Sequence, residues 1–387
     1  MITRESVLTS RYETRPLGEL VHFLDSQRRP VTAKDRAAGP YPYFGANGQQ
    51  GTIADYLFDE PLVLLAEDGG HFDEPDRGIA YRVGGKTWVN NHAHVLRAMS
   101  QVDLGFLTRA LESYDVRPFV TGTTRGKLTK AGASRIEIPV PPLDEQRRIA
   151  AILDQADALR AKRREALGHL DDLTQSIFLD MFGDPVANDR RWDVVRFADL
   201  LARPLRNGVS PSKRGTVMAR VLTLSAVTGK AFRSDAHKEG TFERQPPPGQ
   251  CVRASDLLIC RGNGNIKLVG RGFFPAQDMP KVAFPDTIIA AEVDLARVSS
   301  GFLEHLWNSA AVRRQIESFA RTTNGTFKVN QTMLENVTLP SPPQVLQKEF
   351  SERANEMMLL KEAHRAQIVL MNSLFASLQS RAFAGEL

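Results

Sequence analysis

LDEQRRIAAILDQADALRAKRREALGHLDDLTQSIFLDMF, residues 143–182, decides how the rest of the chain is read. Apolar residues recur in it every seven positions. One line carries Ile149, Ala156, Arg163, Leu170 and Ile177, and a second carries Ile152, Leu159, Ala166, Leu173 and Asp180. A heptad repeat held over about four turns of the pattern describes a coiled-coil seam. At about 1.5 Å per residue the run makes a rod of roughly 57 Å, and a rod of that length cannot bury its seam alone.

Its partner lies 201 residues further on. IPVPPL around Pro139 returns as LPSPPQ around Pro340, and the same offset carries the first seam line onto Phe350, Met357, His364, Met371 and Leu378. Leu159, Leu173 and Phe182 map to Leu360, Leu374 and Phe383. Arg163 and His364 fall at equivalent places, where a polar seam residue fixes register at some cost in stability. The chain therefore reads as a duplication. Residues 1–142 form a first globular part, 143–182 a first rod, 183–341 a second globular part and 342–387 a second rod. The expected architecture is two tandem mixed α/β (α+β) domains, each followed by a long helix, with the helices paired antiparallel.

Composition fits a globular protein of this size, with 42% apolar and 25% charged residues. Only Cys251 and Cys260 occur, which leaves no disulfide framework or zinc-finger spacing and suits a reducing, cytoplasmic setting. The opening residues lack the apolar core of a signal peptide, and no apolar run approaches a membrane span. The net charge of +5 is unevenly spread. Residues 1–142 hold 17 bases and 17 acids, whereas residues 183–341 hold 22 bases and 15 acids. A local basic excess of this kind suits a polyanion.

In the first globular part, Leu62–Ala66 reads as a buried strand and Gly84 with Gly85 as a hairpin turn. Residues 89–97 read as a further strand, which would put His92 and His94 on one face. The second part repeats the order, with the strand of SDLLICRGNGN, one helix spanning Phe302 to Phe319, and a loop RTTNGTFKV before the strand NVTLPSP.

Several groups could touch a polyanion such as a nucleic acid. Asn90, Asn91 and His92 carry donors and acceptors suited to base edges or phosphates, or to turn hydrogen bonds. Thr121, Thr123, Thr124, Arg125 and Lys127 form a polar Gly-containing loop, and Thr322, Thr323, Asn324, Thr326 and Lys328 form its counterpart. Short hydroxyls, amides and bases on such loops suit phosphate contact. CRGNGNIK brings Arg261, Asn263, Asn265 and Lys267 together as a further base- or phosphate-reading loop. It lacks the third glycine of a dinucleotide fingerprint, and GTTRGKL lacks the Walker spacing. His92 and His94 have no evident further ligands, so no metal site is expected. No nucleophile–base set and no amino-methylation motif emerges, so no catalytic residue is assigned.

IPVPPLDEQRRIAAILD, QSIFLDMFGDP leading to Trp192, GKTWVNNHAHVL, TTNGTFKVNQTMLENVTLPSPP and the ending LFASLQSRAFAGEL, taken in order, resemble the specificity subunits of type I restriction–modification systems. The resemblance implies two target recognition domains reading a two-part sequence in double-stranded DNA. It also implies two docked methyltransferase subunits, with restriction or translocating subunits joining them in some systems. No cofactor belongs to this chain in that reading; S-adenosylmethionine, ATP and Mg would serve the partners. The chain departs from an even repeat where LDEQRR is matched by QVLQKE, and where Arg353 and Gln367 replace Ile152 and Ala166. The alternatives are a specificity subunit of a methylation-only complex, and a coiled-coil scaffold that does not read DNA.

Overall fold

The computed structural model describes residues 2, 3, 7, 10–74, 77–122, 125–323 and 325–387, with the backbone only of Thr323. The chain forms two compact units. One comprises Met1–Ala166 with His364–Leu387, and the other comprises Leu167–Ala363. Each unit thus holds one globular part and a portion of both long helices.

In the first unit, Leu62–Ala66 is buried at every position, as a five-residue apolar run demands of a central strand. It lies between Ala80–Val83 and Ala93–Ala98, and Val21–Phe23 completes an antiparallel four-stranded sheet. A second sheet runs in the order Gly48–Ile53, Tyr41–Gly45, Lys86–Val89, Phe58–Asp59, with one parallel pair, Tyr41–Gly45 beside Lys86–Val89. The expected hairpin at Gly84 and Gly85 is therefore not formed. Gly85, at φ +66°, reverses the chain, but the strands on either side enter different sheets. A glycine turn specifies a change of direction, not the sheet that receives the next strand. The expected strand over residues 89–97 is also interrupted. Asn90 Oδ1 accepts from the His92 backbone N–H at 2.8 Å, closing a local turn before Ala93–Ala98 begins. His92 and His94 consequently do not share a strand face.

The second unit has the same two sheets. One runs Arg206–Asn207, Ile288–Glu292, Asp256–Cys260, Gly272–Phe273. The other runs His237–Phe242, Val217–Leu222, Met279–Ala283, Cys251–Val252, again with its one parallel pair in the middle. The expected single helix is two, Ser300–Trp307 and Ala310–Phe319. Asn308 breaks it by donating to the carbonyls of Glu304 at 2.9 Å and Gly272 at 2.7 Å. The expected loop before the last strand is a hairpin of Arg321–Thr323 and Thr326–Lys328.

The long helices span Leu143–Phe182 and Gln344–Ala384. Within the first unit Arg160 donates to Asn372 at 2.9 Å and Arg148 to the Leu387 carbonyl at 2.8 Å, so the helices run antiparallel. Within the second unit the equivalent cation, Lys361, meets Asp171 at 2.9 Å, and Asp171 is the counterpart of Asn372. The first expected seam line faces inward. The second does not: Leu159 is 51% and Leu173 45% exposed. The inward line lies one residue later, at Leu153, Arg160, Leu167, Thr174 and Met181, repeated at Ala354, Lys361, Ile368, Phe375 and Ala382. Steps of three and four both satisfy a heptad, and Ile152 and Leu153 are both apolar. Leu153 is the one that enters the first core, with Ile149.

Each helix is rooted by a buried glutamine. Gln146 accepts from the Asp103 N–H and donates to the carbonyls of Gln101 and Pro141. Gln347, its repeat, accepts from the Ser299 N–H and donates to the Pro342 carbonyl. Each helix also ends on a buried phenylalanine. Phe383 packs 5.2 Å from Phe106 in the first unit, and Phe182 packs 4.8 Å from Phe302 in the second.

Candidate nucleic-acid interface

The central strand of the first unit delivers Glu67 and Asp68 at its carboxyl end. Glu67 accepts from Arg28 at 2.6 Å and pairs with Lys127 at 2.9 Å, while Asp25 Oδ2 lies 2.7 Å from Nδ1 of the buried His94. Burial would raise the Asp25 carboxyl, but the hydrogen bond and charge of His94, with Arg28 beyond, hold it below its ordinary value. Burial acts the same way on Glu67 and is outweighed by hydrogen bonds from Lys127 and Arg28. The Glu67 bond in turn raises Lys127. Asp25, Glu67 and His94 could in principle ligate a cation. Two carboxylates here already face two cations, however. His94 Nε2 lies 2.8 Å from the Leu128 carbonyl, to which it can only donate, and Nδ1 faces Asp25.

Outside this network, Asp68 Oδ1 lies 2.7 Å from His92 Nδ1 and accepts from Arg125 at 2.7 Å. Asn90 is buried, its amide donating to Gln50 at 3.2 Å. Asn91 is exposed. Arg36 lies 3.8 Å over the Tyr43 ring. Together with Asn47 and Gln50 these residues line an open cleft of about 450 Å³. The structure thus brings Asn90, Asn91, His92 and Arg125 to one place, while Lys127 is exposed and paired with Glu67; Thr123 and Thr124 lie outside the described residues. Sequence reasoning missed Arg36, Asn47 and Gln50. The amides of ANGQQG, on a short hairpin, were the available signal.

In the second unit, Gly262–Asn263 pairs with the hairpin strand Thr326–Lys328, making a three-stranded ribbon with Arg321–Thr323. Two loops read separately in the sequence are therefore one surface. Asn263 Oδ1 accepts from the Asn265 N–H at 2.9 Å, and Asn265 Oδ1 accepts from the Lys267 N–H at 3.0 Å. Both asparagines shape the turn through their side-chain oxygens, and their amide nitrogens have no acceptor among the described residues. Arg261 donates to the Asp286 carbonyl at 3.2 Å. Lys267, Arg321 and Lys328 are exposed; Asn324 and the Thr323 side chain lie outside the described residues.

The two surfaces occupy the same place on the same frame. Lys127 and Lys328 are 201 residues apart, and each stands opposite the turn that follows the central strand, at Asp68 and at Gly262. Glu67 and Arg261 are the first residues beyond that strand.

Residues 9–168 match the family model described as type I restriction modification DNA specificity domain. The EcoKI specificity subunit of Escherichia coli strain K12, a type I restriction enzyme component, is 24% identical over 365 residues, covering 84% of this chain and 77% of that one. A Haemophilus influenzae chain assigned to type I restriction enzyme specificity subunits is 39% identical over 153 residues. That match covers 40% of this chain and spans 39% of the relative's length. Residues 9–168 thus carry a type I specificity domain, and the chain as a whole is similar to type I specificity subunits. The fold agrees: the crystal structure of an S subunit from M. genitalium superposes with a TM-score of 0.61 at 13% identity, covering 97% of this chain and 96% of that one.

Proposed function

We propose that this chain is a specificity subunit, a non-catalytic DNA reader in which each unit recognises one half of a two-part target and the paired helices set the spacing between the halves. Methyltransferase subunits, using S-adenosylmethionine, would dock on it and act at the site it selects; restriction subunits with ATP and Mg would join where the system includes them. The observation that carries the reading is the recurrence of one loop pair, with different residues, at equivalent positions of two topologically identical sheet frames. Equal frames give two readers equivalent approaches to a duplex, and unlike loops give two unlike half-sites. Duplex DNA is stiff, with a persistence length of about 150 bp, so a fixed spacer between readers selects a fixed number of base pairs. The interior Asp25–Glu67–His94 network is neutralised by Arg28 and Lys127 and offers no reactive group.

Methylation mapping of a strain carrying the chain tests this. Replacing residues 1–142 with the corresponding domain of another specificity subunit is expected to change one half of the methylated sequence and leave the other. An unchanged sequence, with methylation retained, sinks the proposal. Inserting four residues at the start of one long helix is expected to alter the tolerated spacer.

A further inference from the structure

The inference here rests on the DNA-reading role just proposed and concerns how the load on the phosphate backbone is shared. We propose that the two units divide it unequally: the second, through Arg261, Lys267, Arg321 and Lys328, supplies most of the salt-sensitive grip on phosphate, and the first supplies little.

The first unit's counterparts of these loop cations, Arg125 and Lys127, are already matched, while Arg36 in the cleft lies over the Tyr43 ring. Lys127 pairs with Glu67 at 2.9 Å and Arg125 with Asp68 at 2.7 Å. Arg117, at the start of the same segment, pairs with Asp115 at 2.7 Å. At the equivalent places the second unit has Arg261 in place of Glu67 and Gly262 in place of Asp68. None of Arg261, Lys267, Arg321 or Lys328 has an ion-pair partner among the described residues. Neither CRGNGNIK nor RTTNGTFK contains an acid. The wider charge follows the same division, with no net charge over residues 1–142 and seven excess bases over residues 183–341.

The physical consequence concerns counterions. A free cation that meets a phosphate releases a condensed counterion from the duplex and contributes about 0.9 to the slope of log affinity against log salt. A cation held by a carboxylate brings that negative charge into the phosphate's field, or must first give it up, and contributes less. The first unit would then select chiefly through hydrogen bonds in its cleft, and the second would hold the duplex while the first samples it.

The test uses the full chain and a labelled mixed-sequence duplex, titrated between about 50 and 200 mM KCl. The exposed-loop variant Arg261→Gln/Lys267→Gln/Lys328→Gln is expected to reduce the salt slope by roughly 2–3. Arg125→Gln/Lys127→Gln is expected to reduce it by less than about one. Asp68→Asn, which releases Arg125, is expected to steepen it. Melting temperatures confirm that each variant is folded. Equal reductions in the two loop variants, or a triple variant with the wild-type slope, overturn the proposal, and a slope unmoved by Asp68→Asn counts against it. A wild-type chain that binds DNA with no salt dependence and enriches no two-part sequence sinks the DNA-reading role itself. Salt-dependent binding with an even division sinks only this inference.

Discussion

Gln146 and Gln347 sit at equivalent places in the two halves and do the same work, as do Phe383 and Phe182. Glu67 and Arg261 also sit at equivalent places and carry opposite charges. The roots of the long helices have stayed alike because each must fill a packed interior and satisfy buried backbone groups, which few side chains can do. The loop ends face solvent beyond the strands, where a change of charge costs little in stability and alters what can be bound. Topology belongs to the first kind of constraint and target chemistry to the second. Breaking the comparison means finding a root that tolerates change, or a loop that does not.

The largest effect is expected at the terminal aromatics. Phe182 and Phe383 are buried against Phe302 and Phe106 respectively. Truncating either to alanine should cost about 3–5 kcal/mol, read by chemical denaturation. Similar losses for the two variants would support equivalent roles, and a loss below about 1 kcal/mol at either would show that the duplication is not structural there.

Gln146→Ala should cost somewhat less. It leaves the Asp103 N–H and the Gln101 and Pro141 carbonyls without their partner. One stranded buried group costs about 1–3 kcal/mol, so a total of about 2–3 kcal/mol is expected after partial relaxation. Gln347→Ala strands fewer groups, the Ser299 N–H and the Pro342 carbonyl, and should fall below it. The reverse order would mean that the first root can recruit water where the second cannot.

Much of this frame was legible beforehand because it is periodic or repeated. The 201-residue offset, the strand Leu62–Ala66 and the long-helix span 143–182 are all patterns in the chain itself. Three features were not legible, each for a physical reason. The seam line depended on whether Ile152 or Leu153 meets the first core, a tertiary choice between two apolar neighbours. The destination of the strand after Gly85 depended on pairing with Tyr41–Gly45 and Phe58–Asp59. In the candidate interface, the residue types were visible but their mutual pairing was not. Nothing local shows that Arg28 reaches Glu67 or that Asp68 holds His92 and Arg125.

The halves also differ inside corresponding helices, where Thr108 of the first unit, bonded to the Leu104 carbonyl, is matched by Glu304 in the second. Burial pushes the Glu304 carboxyl up to about 7, against one hydrogen bond from the Phe274 N–H. A carboxyl raised on folding keeps its proton where the unfolded chain has lost it. Its contribution is therefore fully present below the ordinary value of 4.5 and is lost as pH rises towards 7. Glu304→Gln keeps an acceptor for Phe274 and has no proton to lose. The melting temperature of the variant relative to wild type should rise between about pH 4.5 and 7. The neighbouring His305, lowered to about 4 by burial, works in the opposite direction but is common to both proteins. A difference that stays flat across this range would mean that Glu304 reaches solvent.

The smallest effect separates the two readings of the seam. Leu153 is fully buried and Leu159 is 51% exposed, although a heptad through Ile152 would place Leu159 inside. Leu159→Asp should change stability by no more than about 0.5 kcal/mol, as at other surface positions. Leu153→Ala should cost about 2–5 kcal/mol. If Leu159→Asp proved as costly as Leu153→Ala in the isolated chain, the helices would be packed one residue out of the register described. If it cost nothing in isolation yet abolished methylation in cells, the outward apolar line through Leu159, Leu173, Leu360 and Leu374 would be identified as a surface that the assembled complex covers, which is a sufficient reason for leucine to persist where the folded chain does not bury it.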